Sequence, residues 1–162
     1  MTIGGNDVNY IGTAIECGQV NSTCTATTNP AQIDAAFAAL PPSLTQLIHA
    51  VRSKAPSAII VLVTYPRLVP PTPCPALHYT QAATRLVGSM GQRLQQVFAT
   101  VAKDDHVRIA DPYVIGAAHG PCARGTNMWV AGLVASNGYE YHPTVAGHQE
   151  MARLVEKDLG GA

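Results

Sequence analysis

A short motif near the start of the chain combines residue types that could stabilise a negatively charged oxygen. It reads Gly4-Gly5-Asn6-Asp7. Two glycines allow the backbone to turn sharply and to approach a ligand closely. An asparagine amide fixed in such a turn can donate a hydrogen bond to an oxyanion. The alternative is an ordinary turn, because Gly, Asn and Asp are common turn residues.

A second motif near the other end could supply a general base. It reads His142-Pro143-Thr144 and is followed by Gly147 and His148. Pro143 is suited to the first position of a helix, which would hold His142 at the mouth of that helix. An imidazole can accept and return a proton near neutral pH. The alternative is a helix start that a histidine happens to precede.

The remaining polar candidates favour structural roles. The set His142, His148 and Glu150 matches no common metal-ligand spacing, so we expect no metal at these residues. His148 by itself is typical of a helix surface. Asp111 follows an apolar run and is more typical of a structural cap than of a catalytic acid.

The apolar pattern predicts three strands that alternate with helices and position these motifs. The predicted strands are 1–5, 58–64 and 107–110, the helices are 30–40, 44–54, 77–103 and 143–160, and the long loops are 12–30, 65–75 and 111–141. We expect residues 41–43, Pro-Pro-Ser, to separate the first two helices. This order indicates an α/β fold with a parallel sheet. Binding sites in such sheets lie at the carboxyl ends of strands, here residues 4–7, 64–67 and 111.

Length and charge narrow the function classes. The chain has 162 residues, which is enough for a single domain over residues 1–162. Ten basic residues balance ten acidic ones, which excludes the strongly basic surface of a nucleic-acid-binding protein. The longest aliphatic run, 58–63, is far shorter than the ~20 residues of a membrane span. We therefore expect no nucleic-acid partner and no transmembrane segment.

The cysteines point to an oxidising compartment. Cys17, Cys24, Cys74 and Cys122 are even in number, which favours two disulfides, with free thiols as the alternative. Their spacing does not match the short Cys-to-Cys gaps of zinc sites. The first residues of the sequence, however, lack the basic stretch and apolar core of a signal peptide.

Taken together, the two motifs resemble conserved blocks of the SGNH (GDSL-type) hydrolase superfamily, and most closely its secreted actinobacterial esterase and lipase branch. In that branch Ile-Gly-Gly-Asn-Asp is followed by a cysteine pair, here Cys17 and Cys24, and a later pair, here Cys74 and Cys122, frames the long helix. Residues 58–66, 120–122 and 129–133 are also similar to that branch. The resemblance covers nearly the whole chain and implies a three-layer αβα fold with a flavodoxin-like parallel sheet.

The resemblance also implies an activity and roles for single residues. It implies a secreted serine ester hydrolase whose substrate is a small ester or an acyl lipid. Asn6 would be an oxyanion-hole donor and His142 the base, while Gly4 and Gly5 would shape the turn. Many members carry an acid three residues before the histidine, where this chain has Tyr139. We therefore expect the Tyr139 carbonyl to orient His142, with the Glu140 side chain as the alternative.

The sequence departs from the family at its start. The family's Gly-Asp-Ser block and a second-block glycine come before the Gly-x-Asn-Asp motif, and neither is present here. None of the serines lies in a Gly-Asp-Ser context; they are residues 22, 43, 53, 57, 89 and 136. We expect this sequence to be the C-terminal two-thirds of an esterase and to be inactive alone. A start codon assigned inside the true reading frame would explain the missing blocks. The alternative is a catalytically inactive remnant or an ester- or lipid-binding module.

Overall fold

The computed structural model describes residues 1–19, 22, 24, 29–133 and 139–160. The helices of this part are α1 (Tyr10–Gly18), α2 (Pro30–Lys54), α3 (Gln81–Asp104), α4 (Pro112–Ile115) and α5 (Val145–Asp158), and the strands are β1 (Val61–Val63) and β2 (Arg108–Ala110). Short 3-10 turns lie at Pro75–Leu77, Gly116–Ala118 and Gly125–Asn127. The mixture of helices with a small parallel sheet confirms the predicted α/β class.

The sheet is short and has helices on both of its faces. β1 and β2 pair in parallel, with Leu62 opposite Ile109. Leu62 joins the main core, whose other members come largely from α1, α2 and α3. Val61 and Val63 point to the opposite face and pack with apolar residues of α5. This alternation follows from the two-residue period of a strand.

The predicted first strand, 1–5, is wrong as an element, although Met1 pairs with the sheet. The Met1 amino group donates to the Val61 carbonyl (2.5 Å), and the Met1 carbonyl accepts from the Val63 N–H (2.8 Å). The N–H of the next residue, Thr64, points to the other edge and donates to the Ala110 carbonyl of β2 (3.0 Å). Met1 therefore lies at the edge of β1 away from β2, and the turn that follows ends the pairing.

The long amphipathic helix predicted over 77–103 is confirmed as α3, although it begins at Gln81. Its buried stripe repeats at helical spacing and includes Val87, Met90, Leu94, Phe98 and Val101. The stripe packs against α1 and α2, so this helix is the centre of the main core. Neither α3 nor any other helix of the described ranges is long and apolar enough to cross a membrane.

The expected break at residues 41–43 is wrong, because α2 runs unbroken through both prolines. Pro41 and Pro42 each remove one helical hydrogen bond. The apolar residues on either side of the prolines nevertheless form one continuous buried stripe, Ile33, Phe37, Leu40, Leu44 and Ile48. Burial of a side chain of this size is worth ~1.5–3 kcal/mol, so the stripe offsets the missing bonds.

The predicted loop over 12–30 begins with a helix instead. In α1 the buried residues Tyr10, Thr13, Ala14 and Cys17 recur at three- and four-residue spacing. Residues 20, 21, 23 and 25–28 lie outside the described residues. The predicted start of α2 is confirmed. The Asn29 side chain caps the helix by accepting from the Ala31 N–H (3.0 Å), and Pro30 lies in the first turn.

The predicted pairing of the cysteines is confirmed. One disulfide joins Cys17 to Cys24, and the other joins Cys74 to Cys122. The second bridge connects the loop that follows β1 to the loop that follows β2, across a sequence separation of 48. It therefore ties together the two segments that leave the sheet at its carboxyl edge.

We expect the two bridges to differ in their effect on stability. The double substitution Cys74→Ala and Cys122→Ala should lower the free energy of unfolding by about 4 kcal/mol, because the bridge closes a long loop in the unfolded chain. The Cys17–Cys24 bridge closes a much shorter loop, so Cys17→Ala with Cys24→Ala should cost about 2.5 kcal/mol. Urea unfolding of both variants beside the parent chain measures this. A larger loss for the shorter loop would contradict the loop-entropy account.

Candidate active site

The Gly-Gly-Asn-Asp motif forms a turn that leads into α1. Gly4 has a φ of +88°, a conformation that favours glycine. The Gly5 carbonyl accepts from the Tyr10 N–H (2.8 Å), and the Asn6 carbonyl accepts from the Asn9 N–H (3.0 Å). The Asn6 side chain is exposed and has no hydrogen-bond partner among the residues that the structure describes. Its amide is therefore available to a ligand.

Tyr65 holds this turn against the end of β1. Its hydroxyl oxygen accepts a hydrogen bond from the Gly5 N–H (3.0 Å). A Cβ on Gly5 would lie 2.6 Å from the Tyr65 ring, so only glycine allows this approach. The Tyr65 ring in turn stands edge-on to Tyr10 (6.3 Å) and Phe98 (6.2 Å). Burial raises the pKa of Tyr65, which keeps the phenol neutral at the site.

His142 lies with its imidazole exposed and tied at one nitrogen. Its Nδ1 is 2.8 Å from the Glu140 carbonyl oxygen. A carbonyl can only accept, so Nδ1 carries the proton and Nε2 keeps a lone pair. The Tyr139 carbonyl instead accepts from the His142 backbone N–H (3.2 Å). The expectation that the Tyr139 carbonyl holds Nδ1 is therefore corrected to the Glu140 carbonyl, whereas the Tyr139 ring stands edge-on to the imidazole (5.8 Å between ring centres).

A second backbone segment holds the histidine loop in place. Val130 forms an antiparallel bridge with Pro143. The His142 carbonyl accepts from the Ala131 N–H (3.0 Å), and the Thr144 N–H donates to the Trp129 carbonyl (2.9 Å). Each side of His142 is thus fixed by main-chain bonds to residues 129–131.

Thr144, not Pro143, marks the beginning of the last helix. The Thr144 hydroxyl accepts from the Gly147 N–H (3.1 Å) and donates to the Met128 carbonyl (2.6 Å). The expected start of α5 at Pro143 is therefore two residues early. A threonine cap satisfies one of the free N–H groups at a helix start, which a proline at that position cannot do.

Asn6 and His142 face one cleft of about 340 Å³. The cleft is lined mainly by apolar and aromatic side chains, and its full lining is Thr2, Asn6, Ile11, Tyr65, Pro66, Leu68, Tyr141, His142, Pro143, His148 and Met151. The sequence included Tyr65 in the strand end 64–67, where a binding site was expected, but gave it no role, and it assigned His148 to the helix surface. The position of Tyr65 directly after a predicted strand was a signal that it lines the site. The residue spacing within α5 gave no such signal for His148.

No serine of the described ranges lines this cleft. The aliphatic hydroxyl that does so is that of Thr2. Asp111, the other candidate acid, is a cap: it accepts from the Thr64 hydroxyl (2.7 Å), the Tyr113 N–H (3.0 Å) and the Gln95 amide (2.8 Å). The described residues also contain no group of three or more potential metal ligands.

Three comparisons relate this chain to known proteins. A profile of the GDSL-like Lipase/Acylhydrolase family matches residues 1–150. The chain is 27% identical over 151 residues to a lipase of Streptomyces rimosus and 30% identical over 152 residues to Lipase 1 of Streptomyces coelicolor. These alignments cover 93% and 91% of this chain but 55% and 54% of the relatives, so the chain spans about half of their length.

Solved structures give the same relationship. The extracellular lipase of Streptomyces rimosus and the phospholipase A1 of Streptomyces albidoflavus each match with a TM-score of 0.78 at 26% identity. Both matches cover 97% of this chain, and they cover 67% and 66% of those chains. The folded arrangement described above is therefore similar to that of two lipid hydrolases.

We expect Gly5→Ala to be destabilising because its methyl group would overlap the Tyr65 ring. An overpacked contact of this kind costs ~1–3 kcal/mol. Gly88→Ala is the matched control: Gly88 lies within α3 with open space around its Cβ position, so alanine there should stabilise by ~0.5–1 kcal/mol. Thermal or urea unfolding of both variants measures the difference. Equal effects of the two substitutions would contradict the close contact.

Proposed function

Because this chain belongs to the GDSL-like lipase/acylhydrolase family, we propose that it carries the base and the oxyanion donor of a serine ester hydrolase. His142 is the base, and Asn6 is the donor. The observation that supports this most strongly is the shared cleft, in which an unpartnered Asn6 amide and a His142 imidazole with a free Nε2 face the same space.

The chemistry follows from the states of these two groups. His142 Nε2 removes the proton of the serine hydroxyl while the serine oxygen attacks the ester carbonyl carbon. The negative oxygen that forms is stabilised by the Asn6 amide, an interaction whose loss costs ~2.7–4 kcal/mol. The protonated imidazole then gives its proton to the leaving alcohol. Water, deprotonated by the same nitrogen, releases the acid from the serine ester.

The Glu140 carbonyl and the turn glycines act through these groups. The carbonyl holds Nδ1–H and so maintains the tautomer that the base needs. Gly4 allows the positive φ of the turn, and Gly5 allows the hydrogen bond to Tyr65 that fixes Asn6 beside the cleft. No metal or organic cofactor is part of this scheme.

The substrate is a carboxylic ester with an apolar acyl part, either a small ester or an acyl lipid. The largely apolar lining of the cleft supports this, as do relatives described as a lipase and a phospholipase A1. The two disulfides and a relative described as extracellular support secretion of the intact protein. Helices on both faces of the sheet support a single three-layer αβα domain, flavodoxin-like and incomplete over residues 1–162.

The nucleophilic serine comes from a segment outside these residues, so the chain alone is inactive. The cleft, in which no described residue is a serine, supports this assignment. The same observation supports the second candidate, a noncatalytic remnant or a module that binds esters or lipids without cleaving them. The two candidates differ in whether the coding frame continues upstream into a Gly-Asp-Ser block and a signal peptide.

We expect the 162-residue chain to resist a serine-directed fluorophosphonate, because no serine among the described residues lines the cleft. Intact-mass measurement after incubation tests this. Stoichiometric labelling would contradict the missing nucleophile. If labelling occurs, Thr2→Ala shows whether the Thr2 hydroxyl is the group that reacts.

In a protein extended by its own upstream frame, His142→Ala should abolish ester hydrolysis. Asn6→Ala should lower kcat by about 10²–10³, the usual loss of one oxyanion donor. His78→Asn is the control: this exposed histidine is outside the cleft, and its left-handed φ of 51° is one that asparagine tolerates. Hydrolysis of a p-nitrophenyl ester is measured for all three. Activity of His142→Ala within tenfold of the parent protein would refute the base.

A further inference from the structure

A second groove lies on the other side of the loop that follows β1. Its volume is about 690 Å³, and it shares no lining residue with the cleft of Asn6 and His142. It lies between that loop, α3 and α4. Its polar lining includes Arg67, Gln81, Arg85, Gln92, Gln95 and Tyr113. No aspartate or glutamate lines it.

Arg67 lines the groove with a guanidinium that forms no ion pair with any residue that the structure describes. Its Nε is buried and has no hydrogen-bond partner, and no carboxylate of the described residues forms an ion pair with it. The guanidinium carbon lies over the face of Tyr113, 4.8 Å from the ring centre. A buried donor without an acceptor is unfavourable. Arg67 as a whole is only half-buried, and a guanidinium fork is well matched to an oxyanion.

Asp111, which bonds to the backbone of Tyr113, does not fill this role. Both Asp111 carboxylate oxygens are already bonded, to Thr64, to the backbone of Tyr113 and to the Gln95 amide. Burial raises the pKa of Tyr113, so its phenol stays neutral beside Arg67 and is not a counter-anion. Arg67 therefore keeps its positive charge available to a group from outside.

One face of α3 completes the groove with further donors. Gln81, Arg85, Gly88 and Gln92 recur at spacings of four, three and four residues, so they lie in one row along the helix. The three side chains of this row have no hydrogen-bond or ion-pair partner among the described residues. Together with Arg67 they supply two cations and two amides. That number of donors exceeds what one carboxylate accepts and suits the several oxygens of a phosphate.

Gly88 leaves the middle of this row open. A Cβ at Gly88 would meet no atom within 4 Å, so packing does not require glycine there. Glycine in a helix interior is nevertheless less stable than alanine. Glycine at this position leaves free space between Arg85 and Gln92 in front of Tyr113. The Tyr113 hydroxyl donates to the Gly88 carbonyl (3.4 Å).

We propose that this groove is a binding site for a phosphate group, held by Arg67 and Arg85. The phosphate belongs either to a small soluble ester or to a lipid headgroup. The site is separate from the proposed ester-hydrolysis cleft and does not depend on catalysis by this chain.

The test is isothermal titration calorimetry of the 162-residue chain with inorganic phosphate and with glycerol 3-phosphate at constant ionic strength. Arg67→Gln should weaken binding at least about tenfold through the loss of charge-assisted hydrogen bonds. Arg85→Gln, an exposed position, should weaken it severalfold. Gly88→Trp keeps both arginines but fills the space and should prevent binding, so two variants remain informative if Arg67→Gln does not fold.

The matched control is Arg153→Gln, which removes one positive charge from α5, where Arg153 pairs with Glu150 outside the groove. Binding to the control should equal that of the parent chain. Cosedimentation with phosphatidylcholine vesicles, with and without phosphatidic acid, identifies the molecule that carries the phosphate. Binding that requires phosphatidic acid and is lost in Arg67→Gln indicates a lipid headgroup. Binding to the soluble phosphates alone indicates a small ester.

Three results would overturn the site. One is the absence of saturable binding to both the soluble phosphates and the vesicles. Another is equal weakening by Arg153→Gln and Arg67→Gln, which would show a general charge effect. The third is unchanged binding by Gly88→Trp, which would place the ligand elsewhere on the surface.

Discussion

The parallel alignment of Met1, β1 and β2 is the constraint on which both surfaces depend. Peptide groups of β1 alternate between Met1 on one edge and β2 on the other, so three chain segments leave the sheet in the same direction. The segments that leave carry Asn6, Tyr65 and Asp111 in turn. Without that alignment the turn of Asn6 would have no reason to meet Tyr65, and the histidine loop would have no cleft wall opposite it.

The loop after β1 presents side chains of different polarity to the cleft on one side and to the groove on the other. Tyr65 and Leu68 face the cleft, while Arg67 and Val69 face the groove. One side of the loop is thus largely apolar with the Asn6 amide nearby, and the other carries Arg67, which has no ion-pair partner among the described residues. The disulfide from Cys74 to Cys122 anchors the far end of this loop, which limits how far the two sides can separate.

The sequence predicted what local patterns determine and missed what depends on contacts between distant residues. The buried stripe of α3 followed from helical periodicity, and the choice of Asn6 and His142 as candidate site residues followed from the family resemblance. The passage of α2 through Pro41 did not, because it depends on burial of Leu40 and Leu44 against the core. Residues 12–18 have few strong helix signals of their own, and α1 is stabilised by packing on α3. The unpaired state of Arg67 is likewise a property of its surroundings, which no local pattern encodes.

The identity of the group that holds His142 determines which charge lies beside the imidazole. A carboxylate partner would bring a full negative charge to the imidazolium that forms in the proposed reaction. The Glu140 carbonyl brings only a dipole to Nδ1. Because the His142 side chain is exposed, water at the mouth of the cleft would then solvate the positive charge.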